Sequence, residues 1–272
     1  MDAGYPMKTA LLCFVTAAGL AQPAKDALLF HASFDKGIEA DFAVGDHRLY
    51  TAPNYKEQQS ARPGLDHPDV SIVQGAGKSG AALQFRRKNT RAVFYKADKN
   101  TAFEPKNWSG TISFWLSLDP ETDLEPGFCD PIQVTDSAYN DSAIWVDFTK
   151  DEKPRHFRLG VFGERESWNP TKMPDDKNPV FLNRLVVVKK YPFAKGKWTH
   201  VVVTHSNLGS GKGTATLYLN GEKQGETSTI GEAFSWDPAL AALRLGVNYV
   251  GSFDELKIFG RPLTQAEIRE LQ

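Results

Sequence analysis

The sequence has little of the chemistry that marks disulfide-rich proteins or proteins that bind nucleic acids. Only two of its 272 residues are cysteines, Cys13 and Cys129, so a disulfide framework cannot be what stabilises the fold. The 32 Lys and Arg residues nearly balance the 33 Asp and Glu residues, for a net charge of −1. Without a basic excess, the composition argues against nucleic acid or anionic lipid as the partner.

Motifs for zinc chemistry, nucleophilic catalysis and phosphate binding are also absent from the sequence. The six histidines form neither an H-E-x-x-H motif nor a Cys/His pair. No serine nucleophile elbow and no P-loop is present. His200 and His205 lie five residues apart on a predicted strand, so they point to opposite faces and indicate structural roles.

Long apolar runs are missing except near the N-terminus, where residues 10–20 are short of the ~20 residues that a membrane-spanning helix needs. Residues 1–6 resemble an extension before an initiator, Met7, and Lys8 then precedes the apolar run. A small-x-small site ends at Ala21. Residues 1–21 are therefore predicted to be a signal peptide, cleaved after Ala21, which directs the protein to a secreted, periplasmic or extracellular location.

From residue 28 onward the chain consists of short apolar segments separated by turn residues. Residues 111–118 alternate Ile112, Phe114, Leu116 and Leu118 with Thr and Ser, the period of a half-buried strand. Further strands are predicted at residues 28–34, 81–85, 91–95, 143–148, 156–162, 185–188, 198–206, 214–219, 243–247 and 253–259. Strands at this spacing predict one all-β, two-sheet antiparallel sandwich over residues 28–272.

Two long stretches interrupt this pattern of strands, and two short motifs predict a turn and a helix. Residues 40–75 and 119–185 contain long insertions; the first is expected to be a surface excursion with one strand at 70–73, and residues 164–180 a polar loop. Asn220-Gly221 favours a type I′ hairpin turn. Thr264 and Glu267 form a capping box that predicts a short C-terminal helix.

The second half of the chain resembles the laminin G-like jelly roll of the concanavalin A-like lectin/glucanase superfamily. The matching blocks occur in the family's order: W-T-H-V-V-V-T at 198–204, L-Y-L-N-G at 217–221, L-R-L-G at 243–246 and F-D-E-L-K-I-F at 253–259, with R-P-L-T next at 261–264. Upstream, residues 32–35, 80–85 and 109–118 resemble earlier strands of the same family. The resemblance implies a jelly-roll fold.

The resemblance also implies a possible cofactor. Members of this superfamily often hold a structural calcium ion between the first and last strands, and the matching residues are Asp35 and Asp254. Two carboxylates satisfy only part of calcium's six to eight oxygen ligands, so backbone carbonyls and water must supply the rest. The alternative is that Asp254 orders a turn or pairs with a basic side chain.

Catalytic carboxylates are only weakly indicated. No predicted strand carries the E-x-D-x-E pattern of the family's glucanases, and the acids considered as candidates are Asp147, Glu164 and Glu166. Glu164 and Glu166 would share a face if their segment were a strand, as a retaining pair requires. A solvated loop with an ion-paired Arg165 is the alternative.

Aromatic residues offer platforms on which sugar rings could stack. Trp168, in a polar and Pro-rich segment, is the leading candidate for an exposed ring. The other candidates for ligand contact are Trp145, Tyr139, Asn140 and Asp141. Trp108, Trp115 and Trp198 are expected in the core, and Trp236 is expected to close one end of the sandwich.

Together these features predict a secreted, non-catalytic module that binds a glycan or a cell-surface protein. A glycoside hydrolase or polysaccharide lyase on the same fold is the alternative, because a fold does not fix a function.

Overall fold

The computed structural model describes residues 1, 22–89 and 91–272. The predicted signal peptide, with Cys13, lies outside the described residues apart from Met1. Helices are few and short: α1 Gln22–Asp26, α2 Arg165–Trp168, α3 Pro179–Arg184 and α4 Gln265–Glu270, with 3₁₀ turns at Tyr55–Ser60 and Asp175–Lys177. None of these described helices has the length and hydrophobicity needed to cross a membrane.

Seventeen strands in the described part of the chain form two antiparallel sheets. Sheet A has the order β15-β14-β13-β8-β17-β1-β2, and β6 joins it by pairing with both β5 and β17. Its strands are β1 Leu28–Ala32, β2 Phe42–Ala43, β5 Val70–Val73, β6 Ala82–Phe85, β8 Trp108–Ser117, β13 Trp198–Leu208, β14 Thr214–Leu219, β15 Glu222–Glu226 and β17 Gly251–Phe259.

Sheet B packs against sheet A and has the order β12-β11-β10-β9-β16-β7-β3-β4. Its strands are β3 Leu49–Ala52, β4 Arg62–Pro63, β7 Ala92–Lys96, β9 Cys129–Thr135, β10 Ala143–Phe148, β11 Phe157–Phe162, β12 Val186–Val188 and β16 Ala242–Val247. The predicted all-β, two-sheet sandwich is therefore confirmed.

Alternation along the strands builds the core between the sheets. On β8, Ile112, Phe114 and Leu116 face inward, and on β13 Val201 and Val203 do the same. Val202 points to the other face of sheet A, where it packs with Phe259 and with Ile268 of α4. Apolar residues on both faces of the central strands thus bury sheet A on both sides there.

The structure confirms the predicted hairpin turn and the predicted helix cap. Asn220 and Gly221 have φ values of 48° and 75° between β14 and β15, as a type I′ turn requires. The Thr264 hydroxyl accepts a hydrogen bond from the Glu267 N–H, and the Glu267 carboxylate accepts one from the Thr264 N–H, which confirms the capping box.

Two predictions about irregular segments are wrong. Within residues 40–75, β3 is a fully buried strand of sheet B and pairs with β7, because packing against the sheet overrides a composition that resembles a loop. Residues 164–180 are not one loop: they contain α2, a 3₁₀ turn and the start of α3. Among the tryptophans expected in the core, Trp108 and Trp115 are buried, whereas Trp198 is half-buried.

Candidate functional site

The outer face of sheet B holds a row of polar side chains. Asp147 on β10 lies opposite Arg158 on β11, and Trp145 on β10 lies opposite Gln133 on β9. These residues alternate with core residues, so they leave the sheet on the side away from the core. We call Asp130, Gln133, Asp147 and Arg158 the polar strip.

A β-bulge adds Asp130 to this strip. Between Cys129 and Ile132, β9 has one residue more than the facing segment of β10. Both of these apolar side chains reach the core, while the Asp130 carboxylate lies on the outer face, where Gln133 Nε2 donates to its Oδ2 at 2.5 Å. Pro131 lies within the bulge, the part of a strand that best tolerates a missing N–H.

The two carboxylates of the strip have different partners. Arg158 donates to both oxygens of Asp147, from Nε to Oδ1 at 2.8 Å and from Nη2 to Oδ2. Burial, and then the negative charge of Asp147, raises the pKa of Asp130 to about 8. Burial also raises the pKa of Asp147, and Arg158 opposes that rise. Of the two carboxylates, Asp130 has the stronger tendency to keep its proton at neutral pH, and a protonated carboxyl donates as well as accepts hydrogen bonds.

Aromatic rings flank the strip. The guanidinium of Arg158 lies 5.1 Å from the ring centroid of Phe128 and 5.6 Å from that of Trp145. Phe128 is 42% exposed and Tyr139 is 51% exposed. Burial, and then the charge of Asp175, raises the pKa of Tyr139, and the charges of Asp130 and Arg158 also act on its phenol. Phe128 thus borders the polar strip, and Tyr139, in the loop after β9, is a second exposed ring on which the charges of the strip act.

The other predicted ligand residues lie beneath this surface. Trp168 is buried, so the expectation of an exposed ring there is wrong; its Nε1–H donates to the Asn140 carbonyl at 3.0 Å. Trp145 Nε1–H donates to Asn140 Oδ1 at 3.0 Å, and Asn140 Nδ2 donates to Asp175 at 2.8 Å. Trp168 and Trp145 also pack with Phe181 of α3. These contacts hold the segment that contains α2 and α3 onto sheet B.

The predicted pair of acids is not arranged for catalysis. Glu164 is the N-cap of α2 and Glu166 lies in its first turn, so the two are not alternate residues of a strand and the geometry expected for a retaining pair is wrong. Arg165 pairs instead with Asp175 at 2.7 Å. Asp141 Oδ1 accepts the Arg165 backbone N–H at 2.8 Å, which fixes the start of the helix.

Of the predicted site residues, Asp147 belongs to the polar strip, and the structure adds residues that the sequence interpretation missed. Arg158 could be found from the hairpin register, because a hairpin that joins the predicted strands at residues 143–148 and 156–162 brings it close to Asp147. Asp130 had no such signal, since strict alternation from Ile132 would turn it inward.

Asp35, just after β1, and Asp254, on β17, both accept hydrogen bonds from the glycine-rich loop that leads into β6. Asp254 Oδ2 accepts the Lys78 N–H at 2.7 Å, and Asp35 Oδ1 accepts the Ala81 N–H at 2.8 Å. Gly80 lies between them with φ at 63°, and a Cβ atom there would lie 2.0 Å from Asp35 Oδ1. Only glycine allows this approach of carboxylate and loop.

Burial makes the Asp254 carboxylate costly to ionise. Asp254 is fully buried, and in the described part of the chain its carboxylate accepts hydrogen bonds from the backbone amides of Lys78 and Glu255 rather than from cationic side chains. Burial raises the pKa of Asp254 to about 7. A cation would neutralise this carboxylate, although the described residues include no cluster of three or more His, Cys, Asp or Glu that could hold a metal.

Comparison with known proteins agrees with this architecture. The laminin G family model described as the concanavalin A-like lectin/glucanases superfamily matches residues 95–269. No curated protein matches the sequence.

Several solved structures share the fold. Domain 4 of AbnA, a GH43 extracellular arabinanase from Geobacillus stearothermophilus, in complex with arabinotriose, is 17% identical with a TM-score of 0.55, over 90% of this chain and 98% of that chain. The Trypanosoma rangeli sialidase is 13% identical (TM-score 0.50), and the botulinum neurotoxin serotype G binding domain is 11% identical (TM-score 0.57). In both cases 90% of this chain is covered, but only 32% of the sialidase and 50% of the neurotoxin domain.

Proposed function

Because the chain belongs to the laminin G family of the concanavalin A-like lectin/glucanases superfamily, we propose that it is a carbohydrate-binding protein. The glycan lies along the polar strip on the outer face of sheet B. The observation that supports this most is the exposure of Phe128 and Tyr139 beside a floor of buried hydrogen-bonding groups.

The two kinds of surface match the two kinds of surface on a sugar. The C–H face of a sugar ring packs on an aromatic ring, whereas its hydroxyl groups need donors and acceptors at fixed positions. Phe128 and Tyr139 supply the rings. Gln133, the protonated Asp130 and the Asp147–Arg158 pair supply the polar groups, and their positions are fixed by hydrogen bonds to one another.

The charge balance of the strip favours an uncharged glycan. Arg158 is already paired with Asp147, and Asp130 retains its proton at neutral pH because its pKa is raised. An acidic sugar would meet no unpaired cation among these four side chains and would add an uncompensated negative charge near Asp147.

A glycoside hydrolase is the second candidate, and the raised pKa of Asp130 is the observation that favours it, because a general acid must hold its proton near neutral pH. The partner carboxylate is the obstacle. Asp147, which would act as base or nucleophile, is held in a bidentate ion pair with Arg158. Binding without turnover is therefore the stronger proposal.

We also propose that a structural calcium ion binds at Asp35 and Asp254. It would compensate the buried charge of Asp254 and tie the loop at residues 75–80 to the first and last strands of sheet A. Backbone carbonyls and water would complete its ligands.

The test of the glycan proposal is an array of neutral and acidic oligosaccharides, including arabinotriose, probed with the full chain. We expect binding to a neutral oligosaccharide without release of shorter products. Tyr139→Ala and Phe128→Ala should each weaken binding roughly fivefold, since one ring contact is worth about 1 kcal/mol.

Phe42→Ala is the matched control, because Phe42 is a similarly exposed ring on the edge strand β2 of sheet A. It should bind as the wild type does. Turnover of a bound glycan would favour the hydrolase. Absence of binding to every glycan on the array would favour a protein partner.

A further inference from the structure

One end of the sandwich contains a cavity of about 280 Å³ that is separate from the polar strip. It lies between the loop that joins β7 to β8 and the segment that precedes β16. Its lining includes Asp98, Lys99, Phe103, Trp236 and Ala241. We propose that this cavity is a second binding site, which takes a single uncharged pyranose ring.

The aromatic wall of the cavity is held rigidly in place. Phe103 stacks on Trp236 with ring centroids 4.5 Å apart and an interplanar angle of 25°. Trp236 in turn packs edge-on against Trp108 and donates its Nε1–H to the Ser142 carbonyl at 2.6 Å. A sugar face meets this wall without a cost of ordering the rings.

The loop that forms the polar side is also fixed before any ligand binds. Asn100 is fully buried; it accepts the Gly45 N–H at 2.8 Å and donates to the carbonyls of Asp46 and Lys96, each at 2.9 Å. Its neighbour Lys99 has φ at 59°, a left-handed conformation that non-glycine residues adopt rarely. The hydrogen bonds of Asn100 thus maintain a backbone that is locally unfavourable.

The charges at the mouth determine the class of ligand. Asp98 and Lys99 are both exposed and line the cavity, and neither forms an ion pair in the described part of the chain. The carboxylate accepts and the ammonium group donates hydrogen bonds, and their charges cancel. Beside the stacked rings, this combination suits a ring with hydroxyl groups and one apolar face.

The loop at residues 136–142 lies between this cavity and the polar strip. Asp136 accepts the Asp237 N–H at 2.8 Å, and Asp237 lies between Trp236 and Pro238, which line the cavity. The charges of Asp130 and Arg158, in the polar strip, act on the phenol of Tyr139. The cavity uses no residue of the strip, so this second site does not depend on the glycan proposal above.

The experiment is saturation-transfer-difference NMR on the full chain, with the methyl α-pyranosides of glucose, galactose and mannose as separate probes. We expect transfer to the ring C–H protons of at least one sugar. Phe103→Ala should weaken that binding roughly fivefold through loss of the ring contact, and Asp98→Ala should weaken it through loss of an acceptor.

Phe42→Ala serves again as control and should leave the transfer unchanged. Absence of transfer to all three sugars, or full transfer in both Phe103→Ala and Asp98→Ala, would overturn the proposal. If Phe103→Ala does not fold, Asp98→Ala decides alone, since its side chain is exposed. Oligosaccharide binding that is lost in Phe128→Ala reports separately on the polar strip.

Discussion

Asp130 shows how one buried side chain sets the chemistry of the outer face of sheet B. Burial removes the water that would stabilise its charge, and Asp147 adds a second negative charge. Arg158 opposes both effects but donates its two side-chain hydrogen bonds to Asp147. The net result is a neutral acid beside an ion pair, so the strip has hydrogen-bonding capacity without excess charge.

This assignment predicts a specific dependence of stability on pH. The unfolded chain releases the Asp130 proton near the ordinary pKa of 3.8, whereas the folded chain holds it up to about pH 8. Between these values the folded state binds more protons, so the free energy of unfolding falls as pH rises. Asp130→Asn removes this contribution and keeps an acceptor for Gln133.

Urea unfolding of wild type and Asp130→Asn at pH 5 and pH 8 measures the effect. From pH 5 to pH 8, we expect the free energy of unfolding to fall by at least ~1 kcal/mol more in the wild type than in the variant, since one pKa unit corresponds to ~1.4 kcal/mol. Equal losses in the two proteins would show that Asp130 is ionised at neutral pH.

Candidate residues could be identified from the sequence, but the contacts that determine their roles could not. Asp147 stands out in the sequence as an acid on an apolar strand, but its bond to Arg158 requires the hairpin register. Trp168 looks exposed because its neighbours are polar, yet Phe162, Phe181 and Arg165 enclose its ring. Tertiary contacts of this kind produce no hydrophobic periodicity in a short segment, so the sequence does not indicate them.

At the scale of elements, regular strands could be predicted and irregular ones could not. The strand β8 is indicated by alternation, and β10 and β11 are indicated by short apolar segments. The bulge in β9 breaks alternation at the point where Asp130 joins the site. The short helices α2 and α3 depend on apolar contacts with sheet B rather than on their own propensity.

The glycine-rich loop at residues 75–80 is the element that a calcium ion at Asp35 and Asp254 would stabilise. Without metal, the pKa of Asp254 near 7 means that stability falls as pH rises from about 4 to about 7. Calcium binds the ionised carboxylate, so it should stabilise the protein more at pH 8 than at pH 5. Binding to the folded state at 100 times Kd adds about 2.7 kcal/mol.

Thermal unfolding with EDTA and with excess calcium, at both pH values, measures this stabilisation. Asp254→Asn should abolish the response to calcium, and Asp176→Asn, an exposed acid elsewhere, should preserve it. A wild-type melting temperature that is identical with EDTA and with calcium at pH 8 would refute the metal site.

At the scale of the whole molecule, the fold could be predicted from the sequence more fully than the site. Many short alternating strands can bury their apolar faces only by pairing two sheets, so the sandwich is specified by features spread over the whole chain. The binding surface depends on a few side chains in the insertions, where one bulge or one buried ring changes the outcome.

The most direct test of glycan binding along the polar strip is a ¹H–¹⁵N NMR titration of the full chain with the neutral oligosaccharide that binds most tightly on the array. We predict that the largest shifts fall on Gln133, Arg158 and Tyr139 and on their neighbours in β9, β10 and β11. Shifts confined to sheet A or to the α4 side of the molecule, with none along the polar strip, would contradict this binding mode.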